Sequence, residues 1–89
     1  MRVRVRLVSL LREAVGSREL ELELEDGATL GDLLEALYGR FPRLREIVEG
    51  LEKRGLNVLF MVNGSTAALG ERLRDGDVVT ILPPASGGA

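Results

Sequence analysis

The sequence predicts an α+β fold in which a mixed sheet of four to five strands packs on one main helix. Three observations support this prediction. Residues 2–9 and 18–25 alternate apolar with charged residues, which is the period of half-buried strands. Leucines then recur at helical spacing from Leu30 to Leu37. A dense apolar run at residues 57–62 and a segment rich in β-branched residues at 77–82 follow the helical region.

The first two strands are predicted to pair through their charges. Valines and a leucine share one face of residues 2–9, arginines share the other face, and Val8 falls on the arginine side. Residues 18–25 alternate leucine with glutamate in the same way. Opposite charges on facing positions stabilise neighbouring strands, so we interpret these side chains as a solvated ladder and not as a binding site. Between the strands, residues 9–15 are predicted to form a helical turn that Gly16 closes.

The main helix is predicted to begin at Thr29. Asp32 stands three residues later, which resembles a capping box ahead of leucines at positions i, i+3, i+4 and i+7. Burying each leucine contributes roughly 1.5 to 3 kcal/mol before conformational entropy is subtracted, so we assign them to the core. Gly39 and Pro42 are predicted to end this helix, and a second, shorter helical segment from Leu44 is predicted to end at Gly55.

The second half of the chain supplies the remaining strands. Residues 57–62 predict either a strand packed on both faces or one with an exposed apolar outer face. Turn signals at residues 63–64 and 75–76 separate it from the last strand, residues 77–82, with a short helical or irregular crossing between them. Because crossover connections are right-handed, the first and last strands should lie side by side at the sheet centre. This is the β-grasp, or ubiquitin-like, arrangement.

The residues after the last strand are predicted to leave the body of the domain. Pro83 and Pro84 cannot donate backbone hydrogen bonds and therefore end the strand. The five residues that follow can reach roughly 16 to 18 Å at about 3.3 to 3.6 Å per residue. Gly87 and Gly88 lack a Cβ and therefore fit a narrow channel in a partner. A frayed terminus without function is the alternative interpretation.

Composition limits the functions that the chain can perform. Its 89 residues suit one domain, which we divide into a β-grasp body of residues 1–82 and a flexible tail of residues 83–89. Cysteine and histidine are absent, so we expect no metal site, no bound cofactor and no self-contained active site. A net charge of −2 with interspersed signs argues against nucleic-acid binding. No apolar run approaches the ~20 residues of a membrane span, and we expect a cytoplasmic protein.

Several motifs in order and spacing resemble the small sulfur-carrier subunit of molybdopterin synthase and, more distantly, the sulfur carrier of the thiamine pathway. The resemblance covers nearly the whole chain. The motifs that carry it are residues 11–16, 27–34, 62–64, and 73–79 running into 82–88. Taken separately, each motif is explained by a turn or by packing of the core. Together they are specific.

The resemblance implies a carrier whose terminal glycine carboxylate is adenylated by an ATP-dependent, ubiquitin-activating-like adenylyltransferase and then converted to a thiocarboxylate. In that family the sulfur passes to a pterin precursor inside the large subunit of molybdopterin synthase. Gly88, preceded by Gly87, is the matching carrier position. The chain would then be the sulfur-donating subunit, and its partners would hold the active sites. The positions expected to dock these partners are Val8, Arg12, Leu59, Met61, Leu82, Pro83 and Pro84.

One residue departs from the family pattern. Ala89 follows Gly88, so Gly88 has no free carboxylate in this sequence. Three interpretations remain: a processing protease removes Ala89, Ala89 itself is activated, or this chain serves another role. We favour removal, because the Cβ of an alanine is unfavourable where the activation channel is narrow.

Two other functions remain open. The chain is either a carrier or modifier for another route, such as thiamine synthesis, tRNA thiolation or lysine conjugation, or a ubiquitin-like binding module with an inert tail. For conjugation between copies of the chain, Lys53 is the only lysine available as acceptor.

Overall fold

The computed structural model describes residues 1–84, in which a five-stranded mixed sheet packs against helices. The predictions made for Gly87, Gly88 and Ala89 concern residues outside this described range. In chain order the elements are β1 Arg2–Leu7, α1 Leu10–Val15, β2 Glu19–Glu23, α2 Leu30–Arg40, α3 Pro42–Lys53, β3 Leu59–Val62, β4 Ser65–Thr66 and β5 Val78–Leu82.

The strand order is β2-β1-β5-β3-β4, so β1 and β5 form the middle of the sheet. These two strands run parallel, with Val5 opposite Val79 and Leu7 opposite Ile81. All other strand pairs are antiparallel. The predicted side-by-side placement of the first and last strands is therefore confirmed.

The N-terminus of α2 forms the predicted capping box. The Asp32 backbone N–H donates to Thr29 Oγ1 at 3.2 Å, and the Thr29 N–H donates to Asp32 Oδ2 at 2.9 Å. Residues 67–73, which we call the crossing segment, supply two more acceptors. The Leu30 N–H donates to the Glu71 carbonyl oxygen and the Gly31 N–H donates to the Leu69 carbonyl oxygen, each at 2.9 Å. The first-turn donors of α2 thus receive partners from both its own cap and the segment that leads to β5.

α3 differs from the prediction of a shorter second helix. It has 12 residues against 11 in α2, so that prediction was wrong. Pro42 takes the first helical position, where its missing N–H costs no hydrogen bond, and therefore begins α3. At the other end Gly55 adopts φ 78°, and the Leu56 N–H donates to the Leu51 carbonyl oxygen at 3.0 Å. This Schellman-type ending confirms Gly55 as the glycine that stops the helix.

The core lies between the helices and one face of the sheet. The largest fully buried side chains are Leu11, Leu30, Leu33, Leu37, Leu44, Ile81, Val3, Val5, Val48 and Val79. The four leucines predicted for α2 are all buried. For residues 57–62 the sequence allowed either a strand packed on both faces or one with an exposed apolar face. In β3, Val62 is buried whereas Leu59 is 42% exposed on the opposite face. β3 therefore has an exposed apolar outer face.

The outer face of β1 and β2 carries the predicted charge ladder. Arg2 Nε lies 3.1 Å from Glu23 Oε1, and Arg6 Nε lies 3.1 Å from Glu19 Oε2. Between them, Arg4 Nε lies 3.3 Å from Glu19 Oε1. All of these side chains are solvent-exposed, so each pair contributes only about 0 to 1 kcal/mol to stability. The ladder confirms the cross-strand pairing expected from the sequence.

A two-residue turn joins β3 to β4 and is fastened to the start of β5. Asn63 and Gly64 adopt φ 50° and 85°, the mirror-image turn that suits the twist of a hairpin. Asn63 Nδ2 donates to Asp77 Oδ1 at 2.8 Å, and Asn63 Oδ1 accepts from the Val78 N–H at 2.9 Å. Two of the sequence motifs, 62–64 and 73–79, therefore meet in space and fix where β5 begins.

Candidate functional site

The C-terminal end of β5 is the place where the chain leaves the sheet. β5 is paired with β1 up to Ile81 and with β3 up to Leu82, which lies opposite Leu59. β1 ends at Leu7, and β3 begins at Leu59, so among the described residues no strand residue is paired with Pro83. Pro83 and Pro84 thus begin the tail where both neighbouring strands have already ended, as their missing N–H groups require.

Four apolar side chains on the outer face surround this exit, and we call them the outer patch: Val8, Leu59, Met61 and Leu82. Leu59 and Leu82 are a directly opposed antiparallel pair, which places their Cβ atoms about 4.5 to 5.5 Å apart. Val8 follows the last residue of β1 at the same end of the sheet and is 39% exposed. The sequence-predicted docking residues of the strands are therefore brought together in one apolar area.

Arg12 lies on α1, which follows Val8 after a single residue. Its side chain is exposed, and within residues 1–84 no carboxylate lies within 4.0 Å of its guanidinium. The residue is available to a partner's carboxylate, but its predicted docking role stays a prediction.

The turn between β1 and α1 holds Ser9 in a strained backbone conformation. Ser9 adopts φ 59° and ψ −132°, a region that favours glycine, and its side chain makes no capping hydrogen bond. The Leu11 N–H donates to the Val8 carbonyl oxygen across this turn at 3.3 Å. Sequence reasoning missed this feature, because serine gives no signal for a positive φ. Strain of this kind occurs often at binding surfaces.

Thr80 was also missed as a member of the outer face. It lies between Arg6 of β1 and Met61 of β3 in the register, so it joins the charge ladder to the outer patch. The alternation of Val78, Thr80 and Leu82 along β5 could have revealed it, since alternate residues of a strand share one face.

Within residues 1–84 no three side chains of the metal-ligating types cluster closely enough to hold an ion. None of the helices described is long and apolar enough to cross a membrane. The side chains at the C-terminal end of β5 form an apolar surface, with Leu59 42% exposed opposite Leu82.

The model of the ThiS family matches residues 5–88. The chain belongs to the ThiS family. Two relatives cover nearly the whole chain. The small archaeal modifier protein 1 of Haloferax volcanii is 41% identical over 86 residues, 93% of this chain and 97% of its own. The molybdopterin synthase sulfur carrier subunit of Chlamydomonas reinhardtii is 32% identical over 90 residues, 99% of this chain and 100% of its own.

Solved structures of this family share the fold. The solution structure of the small archaeal modifier protein 1 from Methanosarcina acetivorans has a TM-score of 0.80 at 34% identity, covering 98% of this chain and 96% of that one. These neighbours confirm the β-grasp prediction. A chain from the complex of subunits 1 and 2 of the molybdopterin-converting factor from Helicobacter pylori matches with a TM-score of 0.56 at 25% identity, covering 99% and 100%. Structures related to this ThiS-family chain thus include one solved with a partner subunit.

We predict that Ser9→Gly stabilises the protein by about 1 kcal/mol, because glycine adopts φ 59° without the steric cost that serine bears, and this relief exceeds the entropy that glycine loses on folding. Urea unfolding monitored by circular dichroism measures the change. Ser9→Ala is the matched control, since alanine keeps the Cβ and should give no gain. Equal stability changes in the two variants would show that Ser9 is unstrained.

Proposed function

We propose that this chain is a sulfur carrier that donates sulfur from a C-terminal thiocarboxylate on Gly88 to a pterin precursor in molybdenum cofactor synthesis. The observation that carries the proposal is the exit of β5 beside the outer patch, in a chain that belongs to the ThiS family. The outer patch docks the domain on the large subunit of molybdopterin synthase. The two prolines then direct the following residues away from the sheet and into the partner.

The chemistry needs an activated carboxylate, because a free carboxylate is a poor acyl donor. A carboxylate oxygen of Gly88 attacks the α-phosphate of ATP on the activating enzyme, and pyrophosphate leaves. Hydrosulfide (HS⁻) from the sulfur donor then attacks the acyl carbon, AMP leaves and the S–H proton is lost, which gives the thiocarboxylate. Both active sites belong to partners, and this chain contributes the reacting terminus and the surface that positions it.

Activation of Gly88 requires cleavage of the Gly88–Ala89 bond, for which we propose a processing protease. Two points support this step. The family match ends at Gly88 and leaves Ala89 outside it. Glycine at the reacting end also permits close approach of the activating enzyme, whereas the Cβ of alanine obstructs it.

Intact mass spectrometry tests the carrier function. The protein is isolated from its own source and measured before and after incubation with ATP, a sulfur donor and the host's activating enzyme. We expect loss of Ala89 and replacement of one oxygen by sulfur. A mass that still includes Ala89 and gains neither an adenylate nor sulfur rejects the proposal and favours a binding module. In that case deletion of residues 87–89 leaves partner binding intact.

A charge introduced into the outer patch should weaken docking. We expect Leu59→Asp to raise the dissociation constant for the large subunit of molybdopterin synthase at least about tenfold, because a buried aspartate at the contact loses its hydration. Isothermal titration calorimetry measures the change. Leu69→Asp is the matched control, since Leu69 is 54% exposed but belongs to the crossing segment on the helix side. Equal effects of the two variants would contradict docking through the outer patch.

A second candidate function is protein modification, which is favoured by the 41% identity to a relative named a modifier protein. Here the activated Gly88 acylates an amine in place of receiving sulfur. The chain offers one side-chain amine, the exposed Lys53. The α-amino nitrogen of Met1 donates to the Leu24 carbonyl oxygen at 2.7 Å and lies 3.5 Å from Asp26 Oδ1. These contacts hold the α-amino group of Met1 against the sheet and make it a poorer acceptor of the Gly88 acyl group than the side chain of Lys53.

If the chain modifies other copies of itself, Lys53→Arg should abolish the self-linked species and leave thiocarboxylate formation unchanged. Denaturing gel electrophoresis after incubation with ATP and the activating enzyme detects the linked species, and intact mass detects the thiocarboxylate. The control is Arg54→Lys, which places a second amine beside the first and should preserve linking. Linked species that persist in Lys53→Arg would point to Met1 as the acceptor.

A further inference from the structure

A second apolar surface lies on the helix side of the sheet, away from the outer patch. It is a groove of about 180 Å³ between α2, α3, β3 and the crossing segment. We call it the helix-side groove. Its principal lining residues are Leu34, Glu35, Tyr38, Glu52, Phe60 and Leu69. Phe60 reaches it because alternate residues of β3 face opposite sides of the sheet, whereas its neighbour Leu59 belongs to the outer patch.

Leu69 is a rigidly supported apolar side chain at the rim of this groove. It is 54% exposed, more than any other large hydrophobic residue in the described part of the chain. The Gly31 N–H of α2 donates to the Leu69 carbonyl oxygen at 2.9 Å. A Cβ at position 31 would lie 3.4 Å from that oxygen and 3.8 Å from Leu69 Cβ, which is ordinary van der Waals contact, so Leu69 packs directly on the first turn of α2. The backbone of Leu69 is thereby fixed on the first turn of α2 while its side chain faces solvent.

The opposite rim of the groove is acidic. Glu35 of α2 and Glu52 of α3 are exposed, and within residues 1–84 neither makes an ion pair. The neighbouring Glu49 is already paired, with Oε2 3.0 Å from Arg45 Nε.

Tyr38 lies half-buried between the acidic rim and the apolar floor. Burial, reinforced by the charges of Glu52 and Glu49, raises the pKa of Tyr38 to about 12. Its hydroxyl therefore remains protonated and neutral at physiological pH. The groove as a whole combines an apolar floor with two carboxylates that form no ion pair within residues 1–84. The guanidinium of Arg45, which is paired with Glu49, also lies near enough to interact with Glu35 and with Tyr38.

We propose that the helix-side groove docks a basic and apolar segment of a partner protein. One apolar side chain of that segment packs between Phe60 and Leu69, and flanking lysines or arginines pair with Glu35 and Glu52. We choose a basic segment because its positive charges complement the carboxylates of Glu35 and Glu52. Residues 85–89 of the chain itself carry no cationic side chain and follow a strand end at the outer patch, so they do not suit the groove. Since the two surfaces face opposite sides of the sheet, this partner binds while the outer patch is occupied.

Nuclear magnetic resonance titration of the ¹⁵N-labelled full chain tests this proposal independently of sulfur transfer. The probe is a synthetic, end-blocked peptide in which pairs of leucines are flanked by lysines. The control peptide replaces every lysine by glutamate and keeps the leucines. We expect the lysine peptide to shift the amide signals of Gly31, Leu34, Tyr38 and Leu69, and the glutamate peptide to leave them unchanged.

Variants separate groove binding from general attraction between opposite charges. Glu35→Lys and Glu52→Lys should each lower the affinity for the lysine peptide about tenfold, because each variant replaces an attractive charge pair by a repulsive one. Glu46→Lys is the matched control, because Glu46 is exposed on α3 but does not line the groove. Leu69→Asp should also weaken binding, whereas Leu59→Asp should not.

Three results would overturn the proposal. The first is equal weakening by Glu46→Lys, which would show attraction without a defined site. The second is signal changes at the outer patch or along β2 in place of the groove. The third is groove signals that change on dilution without any peptide, which would assign the groove to contact between two copies of this chain. Every variant's own spectrum shows whether it is folded.

Discussion

The parallel pairing of β1 with β5 is the constraint on which the rest of this structure depends. It joins the first and last strands at the centre of the sheet, with Val5 opposite Val79 and both side chains fully buried. Such a pairing forms only if the intervening chain crosses over one face of the sheet, which places α2 and α3 there. No element of residues 1–84 covers the opposite face. The C-terminal exit, the outer patch and the charge ladder all occupy that uncovered side.

Much of this arrangement could be predicted from the sequence because the local signals agree with the final fold. Three kinds of local signal each predict one element, and that element forms in the fold. They are the strict alternation in residues 2–9 and 18–25, the capping box at Thr29 and the glycines of the turns. All four residues of the outer patch, Val8, Leu59, Met61 and Leu82, could be named from the sequence through the family resemblance. The contacts of the last residues, including Gly88, lie outside the described residues, so the reacting end remains a sequence-based prediction.

The features that sequence reasoning missed depend on contacts between distant segments. The length of α3 follows from burial of Leu44, Val48 and Leu51 against the core, which outweighs the poor helix propensity of Gly50. The helix-side groove needs the crossing segment to dock on Gly31, and nothing local to residues 67–73 indicates that contact. The strained conformation of Ser9 is likewise imposed by the surrounding structure. Motif 62–64 has a structural explanation of its own, since Asn63 fastens a hairpin to β5.

The charge ladder has one further consequence, because β2 is an edge strand of the sheet. An edge presents unpaired backbone groups to which another chain can add a strand. Here the side chains on the outer face of that edge are Glu19, Glu21 and Glu23, already engaged by arginines of β1. A second copy aligned along β2 would bring glutamates opposite glutamates, and like charges facing each other destabilise strand pairing. The same residues that hold two strands together therefore disfavour edge-to-edge pairing of two copies along β2.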